Sequence, residues 1–208
     1  MNAPSLGLYV AASLALIATP GQDMVYVITR SLAQGRLAGV ASALGVCTGI
    51  LVHTALAALG VGAILAASEA LFMAVKLVGA GYLIFIGVRM LVSRAGVPGI
   101  AAAPGKLTLR SLFAQGVLSN VSNPKIVLFF LAFLPQFVDP ASPHPTRDLA
   151  FLGTLYALMA LPVKCAVGIA AGSLSEKVLR RPSALAWMTR VSGGVLVALG
   201  LRLAATER

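Results

Sequence analysis

The chain alternates long apolar runs with short polar interruptions. Six apolar segments stand out, at 6–29, 37–66, 70–93, 111–138, 148–172 and 184–205. A helix needs about 20 predominantly apolar residues to cross the hydrocarbon of a bilayer. The second segment is the plainest case, because residues 37–68 run for 32 positions without Lys, Arg, Asp or Glu. The pattern therefore predicts an all-α, polytopic membrane protein with six transmembrane helices. The sixth segment is the weakest: Arg190 and Arg202 leave only 191–201 free of charge, so five spans with an interfacial last helix also fit. The connection 94–110 is rich in Gly and Pro and reads as a linker loop. The whole chain, 1–208, is then one transmembrane domain.

The interruptions divide the chain in two. Pro20 with Gly21 breaks the first segment near its middle, and Asn123 with Pro124 breaks the fourth. The two prolines lie 104 residues apart, half of the 208. A three-span half repeated in tandem sits upside down relative to its partner, so 1–100 and 104–208 are expected to form two inverted three-helix repeats with broken helices 1 and 4. Paired interruptions in inverted halves mark a transporter whose site lies at the midplane, between broken helices. Two unrelated proline kinks are the alternative, since membrane helices tolerate them.

Composition sharpens the class. Apolar residues make up 59% and charged residues 11%, against about 45–50% and 25% in soluble domains. The net charge of +10 comes without a basic stripe interleaved with aromatics, so it points to membrane lipid and not to nucleic acid. Counting basic residues near span ends gives ten on one side (Arg30, Arg36, Arg89, Arg94, Lys106, Arg110, Lys177, Arg180, Arg181, Arg190) and three on the other (Arg147, Arg202, Arg208). Cytoplasmic loops carry the excess, so both termini are expected outside. The N-terminal residues carry no Lys or Arg and run straight into the first span, so a cleaved signal fits poorly and Met1–Arg208 is taken as the mature chain. No Walker, H-E-x-x-H, G-x-S-x-G or G-x-G-x-x-G motif occurs, and neither catalysis nor a cofactor is expected.

Breaking a helix at the midplane frees carbonyls on one half-helix and amides on the other, with partial charges at each end. Such a site suits a zwitterion. Asp23, in TPGQD just past the first break, is an acid set inside a span, a candidate for ammonium binding or proton carriage as well as a first-turn acid stabilising its helix. Asn120, Asn123 and Lys125, in SNVSNPK, offer polar groups beside the second break. Lys164, deep in the fifth segment, offers a charge partner for Asp23 or a hold on a substrate carboxylate. His53 continues the small-residue face Gly45-x₃-Gly49, and histidine titrates in a range useful for protons, although hydrogen-bonded packing is the favoured reading of it. Phe129, Phe130, Phe133 and Phe137 are expected to face lipid and the interface. Cys47 and Cys165, in segments two and five, lack a C-x-x-C spacing and read as small hydrophobes; no metal site is expected.

With these residues in view, the chain resembles the LysE/RhtB family of amino-acid exporters. The resemblance rests on TPGQDMVYVITRSLAQGRLAG at 19–39, KLVGAGYLIFIGVRML at 76–91 and QGVLSNVSNPKIVLFFLAFLPQF at 115–137. The family's Pro-Gly-Pro break falls on Pro20, Gly21 and Gln22, so its second proline is absent, while Asp23 keeps the pattern. Its Asn-Pro-Lys element falls on Asn123, Pro124 and Lys125, and its Gly-Ala-x-Tyr-Leu element on Gly79, Ala80, Tyr82 and Leu83. Lys164 has no counterpart in that pattern. The resemblance implies a bacterial inner-membrane secondary exporter of amino acids or close derivatives, driven by protons and working as a homo-oligomer.

The sequence thus predicts an amino-acid exporter with Pro20, Gly21, Gln22, Asp23, Asn120, Asn123, Pro124 and Lys125 around the substrate and with His53 and Lys164 as proton or charge partners. A soft-metal exporter, or a transmembrane thiol-redox conduit through Cys47 and Cys165, is the alternative.

Overall fold

A computed structural model describes residues 3–61, 69–92, 106–139, 142–173 and 182–205. Among them every regular element is helical: α1 (Ala3–Ala18), α2 (Gln22–Gln34), α3 (Arg36–Leu56, continued by a π turn Ala57–Val61), α4 (Glu69–Val92), α5 (Leu109–Val121), α6 (Pro124–Leu128), α7 (Pro145–Ser173) and α8 (Pro182–Ala205). After α6 the chain winds on as a π turn, Phe129–Phe133, and a 3₁₀ turn, Leu134–Phe137. The loop expected at 94–110 lies outside the described residues up to position 105.

Two helices, Arg36–Gly60 and Pro145–Ser173, are long and apolar enough to cross a membrane. Two bent pairs reach that standard if each counts as one span. Leu6–Ala18 with Gln22–Gln34 bends by 47°, and Leu109–Val121 with Pro124–Phe137 bends by 50°. Both breaks fall where Pro20 and Pro124 were expected to place them. Proline withholds an amide from the ladder and disfavours helix in the preceding residue. At the second break Pro124 occupies the first helical position after the N-cap Asn123, where the missing N–H costs nothing.

The segments at 70–93 and 184–205 are the helices α4 and α8, and α8 runs unbroken through Arg190 and Arg202. These two helices form one close pair. A side chain on Gly87 would put its first carbon 2.7 Å from the Gly193 carbonyl, and one on Gly200 would meet the Ala80 carbonyl at 2.9 Å. The central helix α3 packs against both α5 and α7. There a methyl group on Gly45 would collide with the Phe113 carbonyl, one on Gly116 would lie 2.6 Å from the Ser42 carbonyl, and one on Gly39 would lie 2.8 Å from the Gly168 carbonyl. Small residues let membrane helices approach this closely, which is how association without a water-driven hydrophobic effect gains contact. The corner from α2 to α3 turns at Gly35, whose φ of 85° is a conformation that favours glycine.

One expectation fails here. Phe129, Phe130, Phe133 and Phe137 do not face lipid: all four are buried, none more than 8% exposed. Phe129 stacks on Phe133 at 5.1 Å and against Tyr156 at 4.9 Å, and Phe137 meets Tyr9 edge-on at 5.2 Å. The 50° bend at the second break turns this stretch inward, and the π turn packs against α4. The Tyr9 hydroxyl then donates to the Leu152 carbonyl at 2.6 Å, tying α1 to α7.

Candidate functional site at the two helix breaks

The two breaks meet. Asp23, in the first turn of α2 and 2% exposed, carries its carboxylate to the other break. Asn120 Nδ2 donates to Asp23 Oδ2 at 2.8 Å, and Asn123 Nδ2 donates to Asp23 Oδ1 at 2.9 Å. Each carboxylate oxygen therefore has one amide donor, an arrangement that makes a buried acid tolerable. Asp23 also sits where the amide end of a half-helix dipole favours negative charge.

Lys125 makes the reciprocal connection. Its ammonium donates to the carbonyls of Thr19 at 3.2 Å and Leu16 at 3.4 Å, at the C-terminal end of α1, where the Leu16 carbonyl also accepts the Thr19 amide. Positive charge is favoured at that end of a helix. The side chain passes Gly21 so closely that a methyl there would lie 3.0 Å from Lys125 Nζ. Asn123 holds the second break in shape as well, since its Oδ1 accepts the Lys125 backbone amide at 3.1 Å. The expected residues Asp23, Asn120, Asn123 and Lys125 thus form one buried cluster with Gly21 beside it. Pro20 and Pro124 set the breaks, whereas Gln22 opens α2 exposed and makes no hydrogen bond to the cluster.

His53 joins from α3: its Nε2 lies 3.2 Å from the Asn120 carbonyl, donating to the end of α5 in the tautomer that carries a proton there. Its ring rests 5.8 Å from that of Phe130. Gly49, one turn earlier, leaves room for Asn120, since a methyl there would lie 2.9 Å from Asn120 Oδ1. That Oδ1 is buried and has no hydrogen-bond partner.

Lys164 comes from α7 and is 3% exposed. It lies on the helix face formed by Gly153, Ala157, Ala160, Gly168 and Ala171, all buried. It shares the buried interior with Asp23 and Cys47. Tyr156, two turns earlier, is buried against Phe129 and Phe130. It was not singled out from the sequence, where a lone tyrosine in an apolar run carries little signal. Carbonyls at the end of the first half-helix were expected, but their pairing with Lys125 was not, because a backbone group leaves no mark on composition. Cys47 is buried, Cys165 is partly buried, and both are free thiols. Among the described residues no three His, Cys, Asp or Glu side chains gather to hold a metal ion, so the soft-metal alternative finds no support.

The far side of the cluster is tied by polar contacts. Arg30 Nη2 donates to Gln115 Oε1 at 3.0 Å, and the Tyr26 hydroxyl donates to the Leu112 carbonyl at 2.7 Å. Gln34 mimics a backbone amide, donating to the Leu107 carbonyl at 2.8 Å and accepting the Leu107 amide at 3.1 Å. The site is closed on one side by aromatic rings and on the other by hydrogen bonds between α2 and the start of the second half.

Comparison with known proteins identifies the family. The family model described as LysE type translocator matches residues 14–207. An uncharacterized membrane protein of Pseudomonas aeruginosa is 31% identical over 97% of both chains. A homoserine/homoserine lactone efflux protein of Salmonella typhimurium is 26% identical over 96% of this chain and 95% of its own. A leucine efflux protein of the same organism is 28% identical over 70% and 69% respectively. No solved structure matches.

Proposed function

Because the chain belongs to the LysE type translocator family, whose members are transporters and not enzymes, we propose that it exports amino acids or close derivatives from the cytoplasm, driven by protons. The observation that supports this reading best is the pair of hydrogen bonds from Asn120 and Asn123 to Asp23. They place a buried carboxylate between two helix breaks, beside freed amides and carbonyls that suit an amino-acid head group. The named activities of relatives, leucine efflux and homoserine efflux, point to the same substrate class.

In the proposed cycle a zwitterion enters from the side of Arg30 and Gln34, docks at the breaks and leaves past the aromatic rings as the halves rock. Asp23 is the ammonium-binding or proton-linked group. Six spans in two inverted halves, an inner-membrane location with both termini outside, and a homo-oligomer complete the proposal. The experiment is efflux from cells lacking their own exporters and loaded with amino acids through dipeptides. Expression should speed the appearance of a particular amino acid outside, an uncoupler should slow it, and Asp23→Asn at equal abundance should lower it at least tenfold. Unchanged efflux for every amino acid, with membrane insertion verified, would overturn the reading.

A further inference from the structure

One face of α2 is polar from end to end. Asp23, Tyr26, Arg30 and Gln34 follow one another at steps of three, four and four residues, which sets them on one side of the helix. All four bond to α5 or to the residues directly before and after it. Asp23 accepts from Asn120 and Asn123. The Tyr26 hydroxyl donates to the Leu112 carbonyl at 2.7 Å, and Arg30 Nη2 donates to Gln115 Oε1 at 3.0 Å. Gln34 holds both backbone groups of Leu107. A seam of hydrogen bonds thus runs from the helix breaks to the start of α5.

The neighbouring seams are of another kind. Helix α3 meets α5 at Gly45 and Gly116, and α4 meets α8 at Gly87 and Gly200, with backbone close against backbone. Separating such a seam forfeits packing that water does not replace. Bonds between polar side chains contribute little net, because water offers the same bonds. The α2–α5 seam therefore parts at small cost where water enters, although not into lipid. The rest of α2 fits such a movement. Val27 is packed with Ala43 and Val46 of α3 in one apolar cluster, a contact on which a helix can roll. At one end of α2 lies the Pro20–Gly21 break. At the other lies Gly35, with φ 85° and no heavy atom within 4 Å of the place where a first side-chain carbon would stand.

Resting on the exporter reading, we infer that the α2–α5 seam is the inner gate of the transporter, shut in this structure. Helix α2 rolls on α3 between the Pro20–Gly21 break and Gly35 and parts from α5. The path so opened is lined by Gln34, Arg30, Tyr26, Ser111 and Gln115 and ends at Asp23.

The test uses the full-length protein in liposomes, following radiolabelled leucine, or homoserine if leucine does not move. Gln34→Cys and Leu107→Cys are combined with Cys47→Ala and Cys165→Ala. If losing the native thiols stops flux, they are kept, and single-cysteine variants report any reaction at them. A two-carbon bis-methanethiosulfonate bridge across the pair should lower flux at least tenfold, and dithiothreitol should restore it. A long, flexible bis-maleimide bridge across the same pair should keep flux within threefold of the unbridged protein. If the first pair is not monodisperse on purification, Arg30→Cys with Gln115→Cys serves the same comparison. Undiminished flux through the short bridge, with bridging verified by mass spectrometry, overturns this inference and leaves the exporter intact. Equal loss with the short and the long bridge overturns it too, because the length of the tie would then not matter. Failure of both pairs to bridge would show that the two faces do not meet, with the same consequence. No flux of any amino acid through the wild type overturns the exporter reading and this inference with it.

Discussion

Asn123 uses the two ends of its side-chain amide on opposite tasks: Oδ1 caps its own helix at the Lys125 amide, and Nδ2 holds Asp23 of the other break, 100 positions earlier in the chain. One residue therefore shapes the second break and fixes the charge of the first. With Lys125 reaching back to the carbonyls of α1, the breaks are mutually capped. In the proposed cycle, separating the breaks exchanges these bonds for others, and the substrate head group offers the replacements.

The double role of Asn123 separates into two variants. Asn123→Ala removes both the cap and the hydrogen bond to the carboxylate. It is expected to lower stability by about 2 kcal/mol or more, visible as a lower unfolding midpoint in detergent. Asn123→Asp keeps an oxygen for the cap but sets a second carboxylate against Asp23. Its efflux should fall at least tenfold while its unfolding midpoint stays nearer the wild type than that of Asn123→Ala. Equal midpoints for the two variants would mean that the cap contributes nothing.

Much of this site was legible because helix breaks have local chemistry. Pro20 with Gly21, and Asn123 with Pro124, announce themselves by what they do to an amide ladder, and Asp23, Asn120, Asn123 and Lys125 stand out as polar residues inside apolar runs. Their mutual contacts followed from the expectation that the breaks face each other. The phenylalanines were misread for a physical reason. Lipid is as apolar as a protein interior, so hydrophobicity does not tell which face of a membrane helix is buried. Gln22, the first residue of α2, is exposed and stands outside the buried cluster, a placement its polar neighbours in sequence do not reveal. The partners of Lys125 are carbonyls, invisible to any reading of side chains.

Gly21 and Gly45 are both tight, and they should behave differently. At Gly21 the atom in the way is the far end of a flexible lysine, 3.0 Å from the place of the new carbon. Gly21→Ala should therefore accumulate normally in the membrane, with efflux lowered only a few-fold as the Lys125 ammonium shifts on the α1 carbonyls. At Gly45 the obstacle is the Phe113 backbone carbonyl, which belongs to α5 and cannot yield without separating two helices. Overpacking of this kind typically costs 1–3 kcal/mol, so Gly45→Val should reduce folded protein sharply. Immunoblots of membrane fractions with size-exclusion profiles compare the two.

The aromatic cluster makes a prediction opposite to that of a lipid-facing belt. Phe129 is buried between Phe130, Phe133 and Tyr156, so Phe129→Ala should leave a cavity and cost about 3 kcal/mol or more. Phe85, which is 54% exposed on α4, serves as the control, and Phe85→Ala should change the unfolding midpoint little. Similar midpoints for the two variants would return the phenylalanines to the lipid.

Gln34 joins stability to orientation. Its amide pairs with both backbone groups of Leu107, holding the chain just after Lys106 and before the Thr108 cap of α5. Lys106 is exposed, so trypsin should cut after it, at a rate set by how often the neighbouring backbone opens. Gln34→Ala removes both bonds, and cleavage should speed several-fold. In the proposed topology this segment lies in the cytoplasm, so the cut should appear in inside-out vesicles and not in right-side-out ones. Cleavage in right-side-out vesicles alone would invert the proposed topology, and an unchanged rate in Gln34→Ala would show that the segment is held by contacts other than these two bonds.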